Sequence, residues 1–345
     1  MFKKLVGNEH VKQTLRHLIA NDRVPNSMLF AGDDGVGKRQ FALELAKAFI
    51  CTDPSDGEAC DVCAACRRVD VFVIPKGDKG EDYDQIFFSE HPDVGMVLPF
   101  NRNVRIKGIR DLEREANFRP FEARARFFII DDADKMADPA ANALLKTLEE
   151  PAPTTHIFVL TSRPDSLLPT IRSRCQTLRF APVDAGEIEK FLIEERAFTH
   201  DEARLAARLS RGSIGRAVSI NVEKFRVQRE KMLAVITNVI ETGDRAALLR
   251  IAEEMNDAKN KDAFEDNLDI LQSLIHDVWS LRISSDESRI VNTDLSDQLE
   301  RLVEDSGSAD IPAWLTEIDT MRSNLIVNIN RKISADGLFV SMVGV

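Results

Sequence analysis

At 345 residues with 43% apolar composition, the chain is long enough for two or three domains, each with its own core. A formal charge of −11 excludes a surface that coats nucleic acid by bulk electrostatics, so any DNA contact must come from a few local Lys and Arg side chains. No apolar run approaches the roughly 18 residues of a membrane span, and MFKKLVGNEHVKQTL lacks the features of a signal peptide, so a cytoplasmic setting with no membrane partner is expected.

In chain order, the first 180 or so residues alternate short apolar runs with helical patterns, the rhythm of a parallel sheet wrapped by helices. SMLFAG, DVGMVLP, RFFIIDD and HIFVLTS are the expected strands. Between the first of these and the helical pattern KRQFALELAKAFI lies AGDDGVGKRQ, Ala31 to Gln40. Gly32, Gly35 and Gly37 allow backbone N–H groups to turn inward onto an anion, and Lys38 opens the following helix, as a phosphate-binding loop requires. Arg39 stands where the pattern calls for Ser or Thr, and a guanidinium cannot coordinate Mg²⁺. ATP or ADP is the candidate occupant, without the usual Mg²⁺ ligand; a glycine turn with no ligand is the alternative. The helix itself is expected to face the sheet with Phe41, Leu45, Ala48 and Phe49.

Four of the five cysteines follow as Cys51-x8-Cys60-x2-Cys63-x2-Cys66. In a reducing compartment this clustering points to a tetrahedral thiolate site, hence structural Zn²⁺, over free thiols or a redox pair. The polar stretch KGDKGEDYDQIFFSEHPD, 76 to 93, reads as a mobile insertion. RFFIIDDADKM then describes a buried strand ending at Asp131, whose carboxylate would emerge on the phosphate-loop rim. Asp132 comes next, one methylene shorter than the Glu that usually polarises water there; an ordinary acidic turn is the alternative. ADPAANALLKTLEEP is expected to start a helix with Asp138 as N-cap and Pro139 in the first turn. After Pro182 only Pro312 interrupts long helical patterns, which places a small helical domain at 182–225 and a larger one at 226–345.

PNSMLFAGDDGVGK, the cysteine spacing, NALLKTLEEP and LLPTIRSRC, in that order, resemble the bacterial DNA polymerase III clamp-loader subunits of the AAA+ ATPase group. MRSNLIVNINRKISADGLF, Met321 to Phe339, is similar to the closing helix of their collar domain. The resemblance implies an α/β AAA+ nucleotide-binding module over 1–181 with a zinc-binding insertion at 51–66, then a helical lid and an all-α collar. Arg39, Asp132, the absence of a long extension after the collar and the insertion ending in HPD place the chain nearer the delta prime branch than the gamma or tau motor branch. Partners implied are motor and delta subunits in a hetero-oligomeric ring, the sliding clamp, and primer-template DNA held without sequence preference.

By the same resemblance Arg174, in TIRSRC, is an arginine finger reaching a neighbour's ATP site in trans, Ser162 is the sensor 1 residue, and Arg216 lies one residue beyond the expected sensor 2 position, which holds Gly215. Arg110 and Lys146 are the candidate DNA-phosphate contacts, with Arg105 and Lys107 as weaker neighbours; a solvated helix face is the alternative. Cys175 is expected to pack in the core. Arg39 and Asp132 argue against efficient hydrolysis by this chain. An autonomous P-loop ATPase, such as a gamma/tau-type motor, is the competing reading. A zinc-bearing nucleic-acid module fits the cysteines alone, with the charge and the single Tyr83 against it.

Overall fold

The computed structural model describes residues 2–55, 58–74, 79–101, 103–255, 261–284, 290–307, 309–325 and 331–343. The chain divides into two compact units, Met1–Ser219 and Ile220–Val345.

The first unit is built on six strands: β1 (Ser27–Ala31), β2 (Phe87–Phe88), β3 (Val94–Val97), β4 (Arg126–Ile130), β5 (Thr155–Thr161) and β6 (Gln176–Arg179). Their order across the sheet is β2-β3-β4-β5-β1-β6. All neighbours are parallel except β2 with β3. Alternate residues feed two cores, as a period of two demands. Met28, Phe30, Phe127, Ile129, Phe158 and Leu160 face one side. Leu29, Phe128, Ile130, Ile157 and Val159 face the other. Because both faces are covered, the central strands read as continuous apolar runs rather than alternating ones.

Helices α1 (Glu9–Ala20) and α2 (Lys38–Ile50) cover the first face, with Leu15, Phe41, Leu45 and Ala48 buried in its core and Phe49 packed against it. The short α3 (Ala64–Val69) packs against α2 and adds Val69 to the same core. On the other face lie α4 (Ile106–Glu115) and α5 (Asp138–Glu149), through Ile109, Leu112, Leu144 and Leu148. Each fully buried side chain of this kind contributes roughly 1.5–3 kcal/mol. The unit continues with α6 (Pro169–Arg172), α7 (Ala185–Arg196), α8 (His200–Leu209) and α9 (Ile214–Ser219). Thr199 begins α8 with a full capping box, its hydroxyl accepting from Glu202 N–H while the Glu202 carboxylate accepts from the Thr199 N–H.

The structure departs from the sequence reading in two places. Asp138 is the first residue of α5, and Ala137 is the N-cap, without a side-chain hydrogen bond. The described part of 76–93 is structured: Gly80–Tyr83 forms a 3₁₀ turn, Phe87 and Phe88 form the edge strand, and Tyr83 packs on Phe87 and Phe100. Burial of Ile86 and Phe87 explains why this polar segment is held down. Residues 75–78 lie outside the described residues. The HPD at its end is a structural pivot. Asp93, fully buried, accepts the backbone N–H groups of Phe121, Glu122 and Ala123 and faces the equally buried Arg126. Arg126 is enclosed by Phe88, Phe121 and Phe128.

The second unit comprises α10 (Val222–Thr237), a π-helical turn at Asn238–Thr242, α11 (Arg245–Met255), α12 (Lys261–Ile283), α13 (Ser296–Asp305), α14 (Ile311–Leu325) and α15 (Arg331–Met342). Its core is a single cluster that includes Met232, Leu248, Phe264, Leu271, Ile275, Ile318 and Phe339. The segment Met321 to Phe339 covers the end of α14 and most of α15, and its residues 326–330 lie outside the described residues. Among the described residues no helix is long and apolar enough to cross a membrane.

Candidate functional site

Strand β1 ends at Ala31 and α2 begins at Lys38, so Gly32 to Gly37 must reverse the chain at the C-terminal edge of the sheet. Gly35 and Gly37 do so with φ of +75° and +100°, values that a side chain would strain. Lys38 Nζ folds back onto the loop and donates to the carbonyl oxygens of Gly32 at 2.5 Å and Asp33 at 2.8 Å. Burial pulls its ammonium below the ordinary 10.5, an effect opposed by Asp34, Asp131, Asp132 and Asp134.

Arg39, one residue further, meets the carboxylate that ends β4. Its Nε donates to Asp131 Oδ2 at 2.9 Å, and Nη2 donates to the same oxygen at closer range. In hydrolysing P-loop proteins the residue after the lysine and the acidic strand end together hold Mg²⁺. Here the hydroxyl is missing and a guanidinium lies on the acid, so the residues present do not fit Mg²⁺. Asp132 adopts a left-handed φ of 48° and accepts from Lys135 Nζ at 2.7 Å, which turns it into an internal ion pair.

Beside it, Asp134 accepts from Thr161 Oγ1 at 2.7 Å and from the Ser162 backbone N–H at 3.3 Å. Burial alone would raise the Asp134 carboxyl; its bonds from Thr161, Arg163 and Ser162 hold it below its ordinary value.

A cavity of about 660 Å³ opens over the loop. Its apolar wall is Leu5, Val6, Phe41, Phe191, Ile214 and Val218, and its polar end includes Gly35, Gly37, Lys38, Arg39, Asp131 and Asp132. The structure thus brings most of the sequence-predicted loop and rim residues to one cleft. Gly32 stands behind it as the acceptor of Lys38, while Ser162 and Arg216 are not part of its lining. Gly215 is part of it, and its backbone N–H donates to the Gly35 carbonyl at 2.9 Å. A Cβ on Gly215 would lie 3.2 Å from Gly35 Cα, so the start of α9 rests directly on the phosphate loop.

The four clustered cysteines converge. Cys51 follows α2, Cys63 caps α3 and Cys66 lies within α3. Their sulfur atoms all lie within 4.8 Å of one another, close to the roughly 3.8 Å edge of a tetrahedron with Zn–S bonds of about 2.3 Å. Backbone N–H groups of Cys60, Cys63 and Cys66 donate in turn to the sulfurs of Cys51, Cys60 and Cys63 at 3.2, 3.3 and 3.4 Å. Without a metal the set is uneven: burial tends to raise the Cys63 thiol, yet hydrogen bonds from Cys66 and Thr52 bring it down to about 5, whereas burial raises the thiols of Cys51 and Cys66. The set fits a structural Zn²⁺ site, closed by four thiolates.

Lys47, which sequence reasoning missed, ties this module to α2. Its buried ammonium pairs with Glu44 at 2.8 Å, Asp61 at 3.4 Å and Asp70 at 2.6 Å. Glu44 is a local i,i+3 neighbour, but Asp61 and Asp70 lie beyond the helix that carries the lysine, so the cluster as a whole has no short-range signal. Cys175, by contrast, sits in the apolar core, and burial pushes its thiol up to about 12.

Arg174 lies in the turn between α6 and β6, away from the cleft. Its guanidinium donates to Glu149 Oε1 at 2.5 Å and to the Thr170 carbonyl at 2.9 Å. Arg110 on α4 and Lys146 on α5 are both exposed, on helices that pack together, and carry no ion pair among the described residues. Arg105 and Lys107 are held by Asp84 of the insertion.

A family model described as "DNA polymerase III, delta subunit" matches residues 7–184. The chain is 30% identical over 321 residues to "DNA polymerase III subunit delta'" of Bacillus subtilis, covering 93% of this chain and 91% of that one. It is 25% identical over 312 residues to the protein of the same description in Escherichia coli, covering 89% and 86%. To "DNA polymerase III subunit tau" of Escherichia coli it is 29% identical over 224 residues, 64% of this chain and 32% of that protein.

Proposed function

Since the chain belongs to the DNA polymerase III clamp-loader subunit family, we propose that it is a delta prime-type subunit that braces the AAA+ ring and serves a neighbour's ATP site without running one of its own. The observation that carries this reading is the Arg39–Asp131 pair, which puts a guanidinium on the acid that a catalytic Mg²⁺ would use. Asp132, short and bound to Lys135, is poorly suited to polarising water. These features leave the phosphate loop as a structural element and a candidate nucleotide holder.

Arg174 acts in trans. A guanidinium is always charged and can fork two hydrogen bonds onto phosphate oxygens, stabilising the charge that develops on a transferring phosphoryl group. Its present partner does not trap it. The Arg174 and Glu149 side chains are 32% and 49% exposed, and a pair so open to water contributes no more than about 1 kcal/mol. Helices α7–α9 act as the lid, and the second unit as the collar that joins neighbouring subunits. Arg110 and Lys146 contact primer-template phosphates, which needs no sequence code. The ring's other members are the gamma/tau motor and delta subunits, and its load is the sliding clamp.

The test is ATP turnover of the isolated chain beside clamp loading by an assembly with and without it. The reading expects no Mg²⁺-dependent turnover by the isolated chain and loss of loading when it is left out. Turnover by the isolated chain that Lys38→Ala abolishes would establish the autonomous ATPase instead.

A further inference from the structure

The cleft is not closed by the ion pairs at its polar end. The Arg39 side chain remains 44% exposed. Of the five N–H donors on a guanidinium, Arg39 spends those on Nε and Nη2 on Asp131, and the others are free to meet an anion. Among the described residues Lys38 bonds only to loop carbonyls, acceptors that phosphate oxygens can replace. The apolar wall from Leu5 to Val218 offers a flat aromatic base the burial that the polar end cannot.

We propose that this cleft binds a nucleoside diphosphate free of divalent cation, with the Arg39 guanidinium, fixed by Asp131, occupying the cation's place. Ordinarily the metal bridges a protein hydroxyl and the phosphates and neutralises them. Here a cation tethered to the protein supplies the positive charge, and the hydroxyl it would need is gone. A nucleotide that arrives with Mg²⁺ brings that ion against a guanidinium, a like-charge contact. Magnesium therefore competes with binding rather than supporting it. The diphosphate is favoured over the triphosphate because Asp34 also lines this end and repels an additional phosphate that no metal screens. The inference goes beyond the loader role and is independent of Arg174, so it can fail while that role stands, and the reverse.

The experiment is equilibrium titration of the folded, zinc-loaded full chain with a fluorescent N-methylanthraniloyl-ADP, in a chelator-free buffer cleared of divalent cations before the protein is added and in excess Mg²⁺. The expected result is saturable binding in the Mg²⁺-free buffer that weakens by about tenfold or more in Mg²⁺, since the metal complex must shed its ion or face the guanidinium. Arg39→Thr, which restores the hydroxyl and frees Asp131, should reverse the order, binding better with Mg²⁺ than without. Lys38→Ala should abolish binding while circular dichroism and zinc content stay unchanged. Wild-type binding that requires Mg²⁺ overturns the proposal. So does a folded chain that binds in neither buffer, or a Lys38→Ala chain that binds as well as the wild type.

Discussion

In the cysteine module four sulfurs converge within 4.8 Å with backbone N–H groups directed at them, whereas at the phosphate loop of the same unit Lys38, Arg39, Asp131 and Asp132 are each already matched by another group of the chain. Four sulfurs at this spacing, with backbone N–H groups directed at them, form the donor set that a tetrahedral cation needs. A charged loop that satisfies itself can stand empty. The difference separates a ligand on which local folding depends from one that the fold can do without.

Removing the metal should therefore give the largest effect. Chelation or Cys66→Ser is expected to lower the melting temperature of the first unit by roughly 10 °C or more, because binding free energy at a structural zinc site is folding free energy. Metal analysis should find one zinc per chain in the wild type. Adding or removing Mg²⁺ should leave the melting temperature of the nucleotide-free chain unchanged; a clear Mg²⁺ stabilisation would break the contrast.

A smaller loss is expected from Lys47→Met, which keeps the methylene stem and strands Glu44, Asp61 and Asp70. Removing one member of a buried ion cluster costs about 3 kcal/mol. Calorimetry should show that cost together with weaker zinc retention, and unchanged stability would mean the module is held by the metal alone.

Mild acid gives the smallest effect, carried by histidines that belong to neither the four-cysteine cluster nor the cleft lining. His91 and His156 are both depressed below their ordinary 6.5, chiefly by burial. His156 stacks on Phe127, while His91 faces Asp93, Arg68 and Glu122. The unfolded chain takes up these protons more readily than the folded one. Stability is therefore fully present above pH 6.5 and is lost as pH falls toward the depressed values, by about 1 kcal/mol per group for each pH unit. A melting-temperature profile should show that fall, and His156→Phe should flatten part of it without changing zinc content.

Much of this was legible in the sequence. Strands β1, β3, β4 and β5 stand out as continuous apolar runs because both faces of the sheet are covered. The cysteine spacing gave the metal site, and the glycines with Lys38 located the cleft. Strand β6 was hidden because three of its four residues are exposed and only Leu178 is buried, and β2 is two residues long. The Arg39–Asp131 pair was beyond reach for another reason. Arg39 could be read as a missing Mg²⁺ ligand, but its partner lies 92 residues away and is set by the placement of β4 beside the start of α2. Likewise the buried Asp93–Arg126 contact and the rest of α9 on Gly35 are tertiary facts with no local signature.

The most direct test of the central claim, that this chain donates to a neighbour's ATP site and does not run its own, is ATP turnover by a reconstituted loader carrying either Arg174→Ala or Lys38→Ala in this subunit alone. The account predicts a fall on the order of 10³-fold at the dependent site for Arg174→Ala, with assembly intact, and unchanged turnover for Lys38→Ala. Normal turnover with Arg174→Ala, or a collapse with Lys38→Ala, would contradict it.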